Sequence, residues 1–171
     1  MKIQIPLLCV LFANILFTEA LANPIRVLFL GHESKHHNSN EYYPMLAKAL
    51  GRDAIYFDYV TSVAEALDDS GYLGSFDALL LYANHPRLTA TQWKNLQQYV
   101  QGGGGFVPVH CASWCFSNVP GFDQLVGGRF KSHKTGTFTA RMVKADHPAV
   151  AGVKEFDAWD ETYFHHNHNE K

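Results

Sequence analysis

Short apolar runs alternate with amphipathic stretches along most of the chain. Arg26–Gly31 is a continuous apolar run closed by glycine, as expected of a strand buried on both faces of a parallel sheet. In Asn40–Leu50, Tyr43, Leu46, Ala47 and Leu50 fall at i, i+3, i+4 and i+7, which predicts a helix stopped by Gly51. Ala54–Val60 reads as a second strand. Ser62–Leu67 reads as a short helix, with Ser62 as N-cap and Glu65 three residues on. Phe76–Tyr82 is the third and most apolar strand. Thr89–Val100 is the clearest helix: Thr89 and Gln92 form a capping box, Trp93, Leu96 and Val100 make the apolar stripe, and Gly102 ends it. Phe106–His110 is a fourth strand. Beyond Gly127 the pattern turns β-rich, with a strand expected over Gly136–Val143, while Trp159–Lys171 has no clear period.

Strands alternating with helices predict an α/β three-layer sandwich, a mainly parallel sheet joined by right-handed crossovers. Of 171 residues, 47% are hydrophobic and 18% charged, which suits one globular domain and excludes disordered, collagen-like and coiled-coil classes. The net charge of −2 offers no electrostatic footprint for nucleic acid.

Met1–Ala22 pairs Lys2 with the apolar run Leu7–Phe17 and ends in Ala20-Leu21-Ala22, the layout of a secretory signal peptide cut after Ala22. That run is short of the roughly 20 residues a bilayer span needs. The expected domain is therefore 23–171, exported to the periplasm or the extracellular space. Uncleaved, the leader would be its sole membrane attachment. Cys111 and Cys115, four apart on an expected helix, fit a disulfide poorly and read as reduced, partly buried thiols.

Ten histidines change the picture more than the charge does. Ligands of open α/β sheets bind outside the carboxyl ends of the strands. The first strand ends at Gly31-His32, with His36-His37 in the loop beyond. The third runs into Asn84-His85-Pro86, and the fourth ends in His110. Three strand ends thus deliver imidazoles to one rim. Blander readings stand beside this one: His32 could bond a turn carbonyl, His85 before proline could be a surface residue, and His147-Pro148 a turn. His165-His166-Asn167-His168 reads equally as a metal tract or a solvated tail. His133 and Asp160-Glu161-Thr162-Tyr163 supply further imidazole, carboxylate and phenol, at positions that spacing leaves open. Imidazole with carboxylate suits zinc or a similar divalent ion, and without metal the same groups can shuttle a proton beside a carbonyl. Gly102–Gly105 precedes its strand and so reads as a turn, since phosphate cradles follow the strand. Cys111 beside His110 invites thiol chemistry, but no oriented Cys–His–acid set accompanies it.

Gly103-Gly104-Gly105-Phe106-Val107-Pro108-Val109-His110-Cys111-Ala112, Phe130-x-x-His133, Asp146-His147-Pro148 and Asp160-Glu161-Thr162-Tyr163 together resemble the ThuA-like (trehalose utilisation) family. The resemblance runs over about Ile25–His168. It implies a flavodoxin-like fold similar to class I glutamine amidotransferases, and a part in the catabolism of disaccharides or their keto derivatives. Amidotransferases carry a nucleophilic cysteine where His110 stands here, which argues against glutaminase chemistry. The resemblance implies His37, His110, His133, Asp160, Glu161 and Tyr163 as cleft residues. Expected catalytic residues are His110, Glu161, Asp160 and Tyr163; His37 and His133, with His110, are the expected metal ligands; His32, Asn84 and His85 are expected to contact a small-molecule sugar. Family members continue past the Asp-Glu-x-Tyr motif, so a C-terminal part is expected to be missing. The expectation is an exported sugar-processing enzyme, with a non-catalytic carbohydrate-binding or scaffolding module as the alternative.

Overall fold

The computed structural model describes residues 23–169; the Met1–Ala22 leader expected from sequence lies outside them. Four parallel strands form the sheet: β1 (Ile25–Leu30), β2 (Ile55–Val60), β3 (Ala78–Leu81) and β4 (Gly105–Pro108), in the order β2-β1-β3-β4. The helices are α1 (Ser39–Leu50), α2 (Val63–Leu67), α3 (Ser70–Leu73), α4 (Ala90–Gln101) and α5 (Gly121–Val126).

Strand alternation explains the layers, because successive side chains leave opposite faces. Leu28, Leu30, Leu79 and Leu81 are buried in one core with Leu67 of α2, Leu73 of α3, Leu96 of α4 and Phe122 of α5. Phe29 points the other way and meets the Tyr43 ring of α1 at 6.2 Å, while Tyr43 stacks on Tyr59 at 4.7 Å. The sheet therefore lies between α1 and the other helices, and the α/β sandwich read from the sequence is the observed one.

Local signals act as their chemistry dictates. The Thr89 hydroxyl accepts from the Gln92 N–H and the Gln92 side chain accepts from the Thr89 N–H, a complete capping box. Ser62 accepts from the Glu65 N–H. Gly103, at φ +99°, makes the turn from α4 to β4 that the glycine run foretells.

Elsewhere the structure departs from the sequence reading. α1 does end at Leu50 with Gly51 as its C-cap, but the chain then passes through a 3₁₀ turn, Gly51–Asp53, and the left-handed position falls on Ala54. β4 ends at Pro108, and His110 opens a 3₁₀ turn, His110–Trp114. The strand expected at Gly136–Val143 is β5 (Arg129–Ala140), longer and earlier. The patternless ending contains its antiparallel partner β6 (Phe156–His166). This hairpin forms its own two-stranded sheet. Cys111 and Cys115 are free thiols, as expected, but fully buried where partial burial was expected.

Candidate functional site

The site is assembled from three strand ends and the hairpin. β1 leads through Gly31, where a Cβ would stand 2.5 Å from the Tyr59 ring and 2.7 Å from the Ser39 Cβ, so a side chain there would push the loop off the sheet. The His32 N–H bonds the Ser39 hydroxyl (3.2 Å), which in turn donates to the Tyr82 carbonyl at the end of β3 (2.5 Å). This loop carries His37 at φ +59°, and the corner after β4 carries His110 at φ +51°. Left-handed backbone is uncommon for residues with a Cβ and gathers at functional sites.

β1, β3 and β4 are neighbours in the sheet, which brings the two imidazoles together: the ring centroids of His37 and His110 lie 4.8 Å apart. The hairpin closes over them. In β6, Trp159, Glu161 and Tyr163 alternate onto one face, and His133 of β5 stands opposite Tyr163 in the register. Glu161 is the hub. Its Oε2 lies 3.4 Å from His110 Nε2 and 3.7 Å from His37 Nε2, and its Oε1 lies 3.6 Å from His133 Nδ1. The Tyr163 hydroxyl is 3.2 Å from His110 Nε2, and the two rings stack at 4.4 Å. One donor atom each from His37, His110 and Glu161 lies within 4.8 Å of the other two, close enough to share a cation. His133 meets the carboxylate from its other oxygen.

These groups sit in the wall of an open cavity of about 1190 Å³, whose floor is apolar (Phe29, Leu46, Leu80) and whose rim carries Trp114 and Trp159. Trp159 is 74% exposed and Trp114 41%, so each leaves part of its surface open to a ligand.

The electrostatics suit a neutral-imidazole site. Burial, then the nearby His37, lowers the His110 pKa, with Asp160 and Glu161 pulling the other way. Burial, then Glu161, raises the Tyr163 pKa, so the phenol keeps its proton and can donate. Burial pushes the Cys111 thiol up to about 12, so it is not a thiolate nucleophile at neutral pH.

Burial likewise lowers the pKa of His32, His85 and His165. Below the unfolded-chain value of about 6.5, the unfolded state then binds more protons than the folded one. Stability is thus complete above that pH and falls as the pH drops below it. With a chelator present, the thermal midpoint should be lower at pH 5.5 than at pH 7.5. A midpoint that rises on acidification would contradict these burials.

Not every expected residue reaches the cavity. His37, Asn84, His110, His133, Asp160, Glu161 and Tyr163 line it; His32 and His85 do not. His85 Nε2 donates to the Gly31 carbonyl at 2.9 Å, and both nitrogens of His32 are engaged inside the loop. Both are held by main-chain groups: for His32 that is the blander reading, while His85 is half-buried and not the surface residue its blander reading expects. Asp160 bonds the Glu161 N–H at 2.8 Å. Of the tail tract, His165 bonds the buried Ser113 hydroxyl and His168 bonds the His165 carbonyl, while His166 and His168 are exposed. Trp114, Trp159 and the apolar floor were not among the residues expected from sequence. The period-two series Trp159, Glu161, Tyr163 is the signal that would have found Trp159.

A family model described as ThuA, trehalose utilisation, matches residues 26–171. A comparison with curated proteins gives no match. Among solved structures, the chain is similar to a ThuA-like protein of Bacteroides uniformis, with 18% identity and a TM-score of 0.70, over 86% of this chain and 64% of that one. It is also similar to a ThuA-like protein of Parabacteroides merdae, with 20% identity and a TM-score of 0.63, over 82% of this chain and 63% of that one. The chain thus spans less than two thirds of the length of either.

Proposed function

This chain belongs to the ThuA, trehalose utilisation, family, and on that premise we propose that it is an exported carbohydrate-processing domain whose His37–His110–Glu161 cluster takes a divalent cation such as zinc. The observation that carries the reading is the meeting of those three donor atoms within 4.8 Å of one another, in the wall of a cavity with an aromatic rim. Two imidazoles and a carboxylate are a donor set zinc accepts, and three protein ligands leave a position open for water or substrate. The donors are prepared for it. His110 is kept neutral by burial, and His37 Nδ1 is engaged by Asn84 Oδ1 at 3.0 Å, which leaves its Nε2 lone pair facing Glu161.

A bound cation would polarise a sugar carbonyl or acidify a water. The remaining chemistry belongs to the chain. The Tyr163 phenol donates a hydrogen bond to a sugar oxygen. His133 Nδ1 stands 3.6 Å from the other oxygen of Glu161, where it would orient the carboxylate. The Trp114 and Trp159 faces hold the sugar ring against the apolar floor.

Elemental analysis of the purified protein should find about one divalent ion per chain, and His110→Ala should lose it while keeping the wild-type circular dichroism spectrum. Incubated with disaccharides and their keto derivatives, the wild type should consume one of them and the variant should not. A protein that binds sugar by calorimetry yet neither holds metal nor turns sugar over would instead be a carbohydrate-binding module.

A further inference from the structure

Three hydrogen bonds around His37 close on themselves. The Asn84 backbone N–H can only donate, and it points at His32 Nδ1 (3.3 Å), so that nitrogen is the acceptor. The His32 proton therefore sits on Nε2, which donates to the His37 carbonyl at 3.0 Å. His37 Nδ1 in turn donates to the Asn84 side-chain oxygen at 3.0 Å. The circuit runs from the His37 ring to the Asn84 side chain, from the Asn84 backbone to the His32 ring, and from the His32 ring back to the His37 backbone.

We propose that His32 and Asn84 are positioning residues, a closed hydrogen-bonded ring that holds His37 in its left-handed conformation with the Nε2 lone pair turned toward Glu161. One arm fixes the ring tautomer and the other fixes the backbone that aims it. Left-handed backbone at a residue with a Cβ is strained and persists only where the surroundings over-determine it. Here two bonds to the same residue, one on its ring and one on its carbonyl, supply that. His32 does not line the cavity, so its contribution reaches a ligand only through His37; Asn84 lines the cavity, but its side-chain oxygen is engaged by His37 Nδ1. Partners of this kind behind a metal-bound histidine change affinity roughly 10–100-fold.

The inference rests on the reading of His37 as a cation ligand, and two experiments separate them. In the chelated wild-type protein at pH 8, long-range ¹H–¹⁵N spectra should show His37 protonated on Nδ1 and His32 on Nε2; the opposite tautomer at either ring overturns the circuit without any metal being present. Zinc titrations should then show Asn84→Leu about 10–100-fold weaker than wild type. Asn84→Asp, which keeps an acceptor oxygen in place, should stay within a few-fold of wild type. A purely structural role predicts that both variants suffer alike, and Asn84→Leu binding zinc as tightly as wild type, or Asn84→Asp as weakly as Asn84→Leu, rejects the proposal. Should Asn84→Leu fail to fold, the wild-type tautomers and Asn84→Asp still decide it. Absence of zinc uptake by the wild type would defeat the functional reading, and the tautomers alone would then judge the circuit.

Discussion

Exchanging Glu161 for glutamine should weaken zinc binding by two to three orders of magnitude while leaving the fold intact. Four-ligand structural zinc sites bind with an apparent 10–16 kcal/mol, so one ligand carries about 3–4 kcal/mol, and each 1.4 kcal/mol is a factor of ten. Glutamine keeps the shape and one carbonyl oxygen but removes the charge that faces His37, His110 and His133 together. Its amide NH₂ cannot ligate a cation, so only one of the two side-chain oxygens remains as a donor atom. Glu161 is 28% exposed at its side chain, and its neighbours are half-buried or exposed, so loss of the charge should move unfolding far less than binding. Titration calorimetry with zinc on wild type and Glu161→Gln, beside thermal melts in chelator, makes the comparison. Equal affinities would show that the cluster is an ion-pair knot of the hairpin and not a cation site.

That the carboxylate belongs with the rim histidines is the part of the site least legible in the sequence. β1, β3 and β4 are legible because a strand covered on both faces leaves an unbroken apolar run. Their adjacency in the sheet brings the loops bearing His37, Asn84 and His110 side by side. The hairpin gives no such signal. One face of β6 carries Trp159, Glu161 and Tyr163, which serve the cavity, and the other carries Asp160, Thr162 and Phe164, so neither face is cleanly apolar and period two is masked. Its place against the rim depends on pairings such as Thr135 with Glu161, far apart in the chain, which no local pattern encodes. The left-handed backbones of His37 and His110 are equally invisible beforehand, because tertiary bonds impose them on residues that do not prefer them. The family motif supplies what periodicity cannot: Asp160-Glu161-Thr162-Tyr163 points to the cleft although its strand shows no clear period.

The hairpin must also be held in place, and Arg129 at the start of β5 does this. Its Nε pairs with Asp123 of α5 at 2.5 Å, while its two terminal nitrogens donate to the Trp114 and Cys115 carbonyls at 3.0 and 3.1 Å. Asn167, just past β6, donates to the other oxygen of Asp123 at 2.9 Å. One guanidinium thus joins α5, the turn that carries His110, and the hairpin that carries Glu161, with side chains only 15% and 10% exposed for Arg129 and Asp123. Arg129→Met should cost about 3–5 kcal/mol, because it strands a nearly buried carboxylate and two carbonyls that the fork had satisfied. For a domain of this size that is a fall in Tm of order 10 °C. Lysine should rescue only part of it, since a point charge cannot reach three acceptors in one plane. The double variant Arg129→Met/Asp123→Leu should recover part of the loss by removing the stranded charge. Chemical denaturation of wild type, Arg129→Met, Asp123→Leu and the double variant reads the coupling directly. If Arg129→Met alone costs under 1 kcal/mol, the cluster is hydrated in solution, and the hairpin is held on the sheet by its other contacts, such as the stacking of Tyr163 on His110 and the bond of His165 to Ser113.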